Sequence, residues 1–248
     1  YEISTRDWSS DVCSSDLSPL QHIPPERPAA GWGAHALAHA RVCVGRKRAT
    51  RRSIMEITSV KVLRGPNQWA SFPCLEAKVD LGRFEDFPSD TLPGFNDRIK
   101  AWLPTMVEHR CSVGERGGFF QRLDRGTWLG HVLEHVTLEI QTLAGSVVGF
   151  GRARETNDRG VYNVVVEYRE ETFAIDCLHT ARRLIMAAVD GTAFDVDAEV
   201  KRLHGVLLEE QLGPSTRSIV EAAAARGIPA RRLNEGSLVR LGYGAKQR

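Results

Sequence analysis

Residues 126–145, GTWLGHVLEHVTLEIQTLAG, predict one amphipathic helix that begins near Thr127 and ends at Gly145, where glycine suits a helix C-terminus. At about 100° per residue, one face of this helix is apolar and is expected to be buried. That face consists of Leu129, Val132, Leu133, Val136, Ile140 and Leu143. The opposite face carries His131, Glu134, His135 and Thr142, and its role needs a separate explanation.

The polar face contains HVLEH, in which His131 and His135 lie one helical turn apart. Two imidazoles at this spacing can bind one metal ion, and Glu134 beside them could activate a water molecule. The order HxxEH is the inverted form of the zinc-peptidase motif. The same pattern also arises by chance on a solvated helix face, where Glu134 would only form side-chain pairs worth about 0.3 kcal/mol. The sequence leaves both interpretations open.

A metal site of this kind needs a third ligand, and Glu167 is the first candidate. It shares a face of a predicted strand with Asn163 and Val165, and strand ends commonly carry ligands towards a helix. Glu139 is a poor candidate, because eight residues of helix place it ~12 Å along the axis from His131. The alternatives lie in the glycine-rich segment before the helix: His109, Cys111 and Glu115.

The rest of the chain mixes strands and helices. MEITSVKVLRGPN and CLEAKVDLG predict two strands, and GVYNVVVEYREE predicts a third. NDRIKAWLPTM predicts a short helix capped by Asn96 or Asp97, followed by CSVGERGGFFQRL as a glycine-rich connection. Two later helices are predicted in FAIDCLHTARRLIMAAVDG and in DVDAEVKRLHGVLLEEQLG, the second with an aspartate cap. Because no regular βαβ repeat is present, residues 55–211 are expected to form an α+β domain.

A domain boundary is predicted at LGPST. Residues 212–248 predict a helix followed by two short strands. A segment of this length cannot bury a core alone, so we expect it to begin a second domain.

The first 54 residues are expected to be non-native upstream sequence. The chain opens at Tyr1, its first methionine is Met55, and RDWSSDVCSSDL resembles translated sequencing adapter, so that residues 1–17 are adapter-like. Residues 55–248 carry 25 Lys and Arg against 26 Asp and Glu, which turns the net charge of +2 into −1. The basic pI of 8.4 therefore comes from the upstream segment, and no nucleic-acid partner is expected.

The cysteine and hydropathy patterns favour a soluble cytoplasmic protein. No apolar run approaches the ~18 residues of a membrane span, and no segment resembles a signal peptide. The cysteines are odd in number and never form CxxC, which is typical of reduced thiols. They are Cys13, Cys43, Cys74, Cys111 and Cys177.

The segment GFGRARETNDRG contains three arginines, Arg152, Arg154 and Arg159. Guanidinium groups can bind carboxylates through paired hydrogen bonds, although a solvated hairpin or loop is an equally good interpretation. The glycines of this segment do not form a dinucleotide fingerprint, since no third glycine follows in register before a helix.

A series of segments, in chain order, carries a resemblance. They are RGPNQW, LPGFNDRI, EHRCSVGERGGF, GTWLGHVLEHVTLEIQTLAG, GFGRARET, GVYNVVVEY and LGPSTRSIVEAAAARGIPARRLNEGSLVRLGYGAKQR. Together they resemble the N-terminal part of the cyanophycin synthetase family, and the resemblance covers about residues 55–248. Residues 1–54 have no counterpart in that family, in agreement with Met55 as the native start.

The resemblance implies an ATP-dependent ligase with an N-terminal domain, an ATP-grasp module and a Mur-ligase-like module. Such an enzyme joins aspartate and arginine into a storage polymer, with ATP and Mg²⁺ as cofactors, and is expected to be a homo-oligomer, commonly a tetramer. Residues 55–211 then correspond to the N-terminal domain and residues 212–248 to the start of the ATP-grasp module. The ATP and Mg²⁺ sites are expected beyond Arg248, so this fragment should lack ligase activity.

The resemblance also gives roles to the candidate site residues. The family's N-terminal domain holds the growing polymer and in some members carries a metallopeptidase-like centre that cuts polymer into primers. The expected roles here are Zn²⁺ ligation by His131, His135 and Glu167, catalysis by Glu134, and polymer binding by Arg152, Arg154 and Arg159. The alternative is a polymer-binding scaffold without a metal. A stand-alone metallopeptidase is disfavoured by the ATP-grasp start after Gly213.

Overall fold

The computed structural model describes residues 54–242. The expected non-native segment 1–54 therefore lies outside the described residues except for Ile54, as do residues 243–248 of the predicted second domain. Within residues 54–242 the chain forms six α-helices and two antiparallel sheets. The strands are β1 (Glu56–Leu63), β2 (Cys74–Asp80), β3 (Gly151–Glu155), β4 (Val161–Glu167), β5 (Ala230–Arg232) and β6 (Val239–Leu241). The helices are α1 (Phe95–Trp102), α2 (Gly118–Arg125), α3 (Leu129–Leu143), α4 (Glu171–Asp190), α5 (Val196–Glu210) and α6 (Pro214–Ala224). The predicted α+β class is confirmed.

The larger sheet has the strand order β1-β2-β4-β3, with every neighbour antiparallel. Side chains alternate between the two faces of a strand, so Ala77 of β2 and its partner Val164 of β4 point to the same side. That side packs into the core with residues of α3. The strand β3 pairs only with β4 in the described part of the chain and forms one edge of the sheet.

The helix α3 lies at the centre of the domain, between α4 and the strands β3 and β4. Every residue from Leu129 to Gln141 except His131 is buried. The prediction of an amphipathic helix in this segment is confirmed. The alternative interpretation of a solvated polar face fails for Glu134 and His135, although Thr142 on the same face is exposed. Glu134 and His135 are only 6% and 4% exposed. Burial of ionisable groups is costly unless they have partners, so this face requires a specific arrangement of partners.

Two details of the helix prediction are corrected. The segment read as a glycine-rich connection contains α2, a short helix that begins after Gly117 without any side-chain cap and therefore lacks the usual start signal. The helix α1 begins after Gly94, and Gly94 itself has a left-handed backbone conformation with φ 66°. Neither Asn96 nor Asp97 caps this helix. The predicted aspartate cap of α5 is confirmed, since Asp195 accepts a hydrogen bond from the Ala198 N–H.

The C-terminal elements agree with the predicted helix and two short strands. The helix α6 is followed by the hairpin β5-β6, and the predicted boundary at residue 211 falls between α5 and α6. The assignment of residues 212–248 to a second domain stays a prediction. Between residues 54 and 242, no helix combines the length and the apolar character needed to cross a membrane.

Candidate metal centre

Three potential metal ligands converge at the start of α3. The His131 Nε2 atom lies 3.3 Å from the Cys111 Sγ atom and 3.1 Å from the His135 Nε2 atom. The three ligand atoms all lie within 4.8 Å of one another. Cys111, one of the sequence alternatives for the third ligand, therefore lies beside the two histidines, and these three residues are called the candidate ligand group below.

The backbone around Cys111 is bent tightly to reach α3. Cys111 has φ 51°, a left-handed conformation that is uncommon for a residue other than glycine. Gly114 and Gly117 share this left-handed region, and a Cβ atom on Gly118 would lie 1.9 Å from the Arg110 carbonyl oxygen. The GERGG sequence thus permits a close approach of two backbone segments. Strained residues of this kind cluster at functional sites, because the surrounding structure must hold them in place.

An aromatic ring closes the site on one side. Phe119 of α2 is fully buried, and its ring centroid lies 4.3 Å from that of His135 and 5.9 Å from that of His131. Burial lowers the pKa of His131 to about 4, with a further contribution from the charge of Arg122. Burial also lowers the pKa of His135 well below its usual value. Both imidazoles are therefore neutral at physiological pH, which is the form that binds metal ions.

A chain of hydrogen bonds orients His135. Its Nδ1 atom lies 3.0 Å from the Nδ1 atom of His109, and the His109 Nε2 atom lies 2.8 Å from the Glu139 Oε2 atom. The Thr105 hydroxyl hydrogen-bonds the other carboxylate oxygen of Glu139. If His109 donates from Nε2 to the carboxylate, its Nδ1 accepts from the His135 Nδ1–H. The His135 Nε2 atom, which lies 3.1 Å from the His131 Nε2 atom, then keeps its lone pair available for a metal.

The other histidine is oriented in the same way by a different partner. The His131 Nδ1 atom lies 2.9 Å from the Thr127 Oγ1 atom. Thr127 is itself fixed, because its backbone N–H donates to the Ser89 Oγ atom at 2.9 Å. With Nδ1–H donating to Thr127, the His131 Nε2 atom also presents its lone pair to the ligand group. Outer partners of this type are typical of histidines that bind metals.

The outer partners of His135 should affect metal affinity. We expect His109→Ala and Glu139→Gln each to weaken zinc binding about 10- to 100-fold. His109→Ala removes the group that fixes the tautomer and ring orientation of His135, and Glu139→Gln removes the carboxylate that orients His109. Competition with a chromogenic chelator measures the affinity. Glu139→Gln keeps the volume of the side chain, so a loss of affinity in this variant does not result from a cavity. The matched control is His179→Ala, which changes an exposed histidine on α4. Unchanged affinity in both variants would contradict this role.

Glu134 lies between the ligand group and the sheet. Its Oε1 atom is 4.0 Å from the His135 Nε2 atom. On the other side, a Cβ atom on Gly151 would lie 2.7 Å from the same Oε1 atom, so a larger residue at position 151 would displace the Glu134 side chain. Burial raises the pKa of Glu134 to about 8, although the charge of Arg152 and a hydrogen bond from the Ala153 N–H act in the opposite direction. A carboxyl group that titrates near neutrality is suited to accept and return a proton.

The raised pKa of Glu134 predicts a pH-dependent stability of the metal-free protein. Between pH 4.5 and pH 8 the folded state holds a proton that the unfolded state has lost, so the free energy of unfolding falls as the pH rises. Glu134→Gln removes this contribution, and its stability relative to wild type should grow with pH, by up to about 4 kcal/mol across that window. Urea unfolding at pH 5 and pH 8 in chelator measures the difference. A constant difference would contradict the raised pKa.

The structure does not bring Glu167 to the histidines. Glu167 does share a strand face with Asn163 and Val165, but alternation along β4 places that face on the side of the sheet away from α3. Its carboxylate instead accepts hydrogen bonds from the backbone N–H groups of Gly149 and Phe150, at 2.9 Å and 3.1 Å. In the described residues, the ligand group is completed by Cys111 in place of Glu167.

The three arginines proposed to bind polymer are not in equivalent positions. Arg152 and Arg154 lie on the edge strand β3, and the Arg152 guanidinium is 5.8 Å from the centre of the Phe150 ring. Arg159 lies in the turn after β3 and forms an ion pair with Asp86 at 2.7 Å. Arg152 and Arg154 pair with Val165 and Asn163, so they form one basic strip on the face of the sheet away from α3, whereas the charge of Arg159 is partly neutralised.

Fold and site together define an α+β domain with a candidate metal centre on its central helix. Residues 76–190 match the model of the cyanophycin synthase-like N-terminal domain. The match contains all three candidate ligand residues and Glu134.

The curated relatives are named cyanophycin synthetases. The chain is 41% identical over 199 residues to one from Crocosphaera subtropica, and 40% identical over 198 residues to those from Geminocystis herdmanii and a Synechocystis species. Each alignment covers 78% of this chain but only 23% of the relative. The chain is therefore a homologue of cyanophycin synthetase in the N-terminal region of that enzyme.

Proposed function

We propose that residues 55–211 bind a polymer of aspartate and arginine and hydrolyse it into primers at a zinc site. The ligands are Cys111, His131 and His135, and Glu134 is the catalytic base. The observation that supports this proposal is the convergence of one thiol and two neutral imidazoles beside the buried carboxyl group of Glu134. The name of the relatives, cyanophycin synthetase, supports the choice of polymer.

The donor set fits zinc. Bond lengths of about 2.0–2.3 Å and tetrahedral angles separate zinc ligands by roughly 3.3–3.6 Å, close to the 3.1 Å and 3.3 Å observed here. A thiolate with two imidazoles suits zinc better than magnesium or calcium, which prefer oxygen ligands. Three protein ligands also leave one position for substrate, as in catalytic zinc sites.

The chemistry proposed is amide hydrolysis. Zinc, when bound, supplies a Lewis acid for a carbonyl oxygen and makes water more acidic. Glu134 takes a proton from water as the water oxygen bonds to the carbonyl carbon. When the carbon–nitrogen bond breaks, Glu134 returns that proton to the amine nitrogen. Phe119 keeps bulk water away from the histidines, and Arg152 and Arg154 offer guanidinium groups to the carboxylates of the polymer.

The whole enzyme is proposed to be a cyanophycin synthetase, like its relatives, and to act as an ATP-dependent ligase in the cytoplasm. Residues 212–248 would begin its ATP-grasp module, and ATP and Mg²⁺ would bind outside this chain. Aspartate, arginine and the growing polymer are the proposed substrates, and a homotetramer is the proposed assembly. The metal site would then supply primers that the ligase extends.

Polymer shortening by the purified chain tests this function. The chain is loaded with one equivalent of zinc, incubated with the aspartate–arginine polymer, and assayed for new amino termini. We expect cleavage that stops with a chelator and returns with added zinc. Retention of the polymer without shortening under both conditions would support the scaffold alternative and overturn the peptidase.

A further inference from the structure

The backbone of β3 is open along one side. Hydrogen bonds join the Glu167 N–H to the Phe150 carbonyl and the Thr156 N–H to the Val161 carbonyl, each at 2.8 Å. In an antiparallel pair, bonded and non-bonded positions alternate. The backbone N–H and carbonyl groups of residues 150 and 156 point towards β4, so those of residues 152 and 154 do so as well.

The intervening residues therefore direct their backbone groups away from β4. These residues are Gly151, Ala153 and Glu155. Among residues 54–242, no further strand covers this edge. An edge of this kind presents unpaired N–H and carbonyl groups to any extended chain.

The open edge passes directly beside the proposed catalytic carboxylate. The Ala153 N–H hydrogen-bonds Glu134, and Gly151 lies against the Glu134 side chain, where an added Cβ atom would be 2.7 Å from Oε1. The same Oε1 atom is 4.0 Å from the His135 Nε2 atom. The Ala153 N–H is thus already used by Glu134, whereas the outward backbone groups of Gly151 and Glu155 are not. Glu134 lies between this edge of the sheet and the candidate ligand group.

The positive charges on β3 indicate which kind of polypeptide would bind at this edge. Arg152 and Arg154 follow one another on the same face of the strand, and neither appears in an ion pair of the described residues. A strand added at this edge would place every second side chain next to these guanidinium groups. Carboxylate-bearing side chains are the complementary partners.

We propose that β3 is the substrate-binding strand: an extended polypeptide main chain with carboxylate-bearing side chains adds to its open edge and delivers a peptide bond to Glu134 and the histidines. This inference rests on the proposed function and specifies how its substrate is held. Main-chain hydrogen bonds to Gly151 and Glu155 provide affinity, as in other cases of strand addition. Arg152 and Arg154 provide the preference for acidic side chains.

Proline substitution at position 155 tests the proposal. Glu155→Pro removes the outward N–H, and proline is tolerated on edge strands where the N–H is not part of the ladder. Glu155→Ala, which keeps the N–H, is the matched control, because both variants lose the same carboxylate. Binding is measured by fluorescence anisotropy with a labelled ten-unit segment of the aspartate–arginine polymer, and zinc content is measured in parallel.

We expect Glu155→Pro to bind the segment about tenfold more weakly than Glu155→Ala, with equal zinc content. A difference below twofold overturns the binding strand. Binding does not require cleavage, so a protein that binds through the edge but never cuts refutes the peptidase alone. If ultracentrifugation shows that wild type forms a dimer that Glu155→Pro dissociates, the edge pairs with a second copy, and that result also overturns the proposal.

Discussion

Cys111→Ser should lower the zinc affinity of the chain by more than 100-fold, a larger loss than the removal of an outer hydrogen-bond partner produces. Serine preserves the size of the side chain but replaces a soft thiolate with a hydroxyl, which is a poor zinc ligand. His131→Ala should have a similar effect, since the His131 Nε2 atom contacts both other ligand atoms. Chelator competition measures the affinity of each variant.

Cys74→Ser is the matched control for Cys111→Ser. Cys74 is also buried and reduced, but it lies on β2, where its thiol contacts the Phe72 carbonyl. Its variant should bind zinc as wild type does. Equal zinc affinity in Cys111→Ser and Cys74→Ser would show that Cys111 is not a ligand.

Glu134→Gln should separate metal binding from hydrolysis. The amide preserves the shape of the side chain and can still accept the Ala153 N–H, so the fold and the zinc content should be retained. It cannot take a proton from water, and the rate of polymer cleavage should fall by about 10²- to 10⁴-fold. The rate is measured from new amino termini at saturating zinc.

The control for this substitution is Glu170→Gln. Glu170 is another glutamate with a pKa raised by burial, but it hydrogen-bonds Ser146 and lies outside the ligand group. Its variant should cleave at the wild-type rate. Cleavage by Glu134→Gln within twofold of wild type would exclude Glu134 as the base.

The main elements could be predicted from sequence, because each carries a strong local pattern. Alternation in CLEAKVDLG predicts β2, and β-branched residues predict β4. The helix α2 could not be predicted, since glycines start it and no cap marks its first turn. The burial of α3 on its polar face was also hidden, because helical periodicity describes one helix and not the sheet, loop and second helix packed around it.

The candidate site could be predicted in part. The spacing of His131 and His135 follows from helix geometry alone, and the structure brings these two residues together. The choice of Glu167 over Cys111 depended on which sheet face meets α3, and no local signal gives that face. The left-handed backbone conformation of Cys111 could not be predicted from the sequence either, although the glycines that follow it indicate a tight turn.

The outer shell of the site shows the same limit. Glu139 was set aside because it is too far along α3 to reach His131, and the structure agrees. It acts instead through His109, which comes from a separate segment and bridges Glu139 to His135. Such a relay joins residues that are distant in sequence, so only the tertiary structure reveals it.

X-ray absorption at the zinc edge of the purified, zinc-loaded chain tests the central claim most directly. We expect one sulfur neighbour at about 2.3 Å and two imidazole nitrogens at about 2.0–2.1 Å. The sulfur signal should vanish in Cys111→Ser and persist in Cys74→Ser. A zinc environment of nitrogen and oxygen alone in wild type, or a chain that takes up no zinc, would contradict the metal centre on α3.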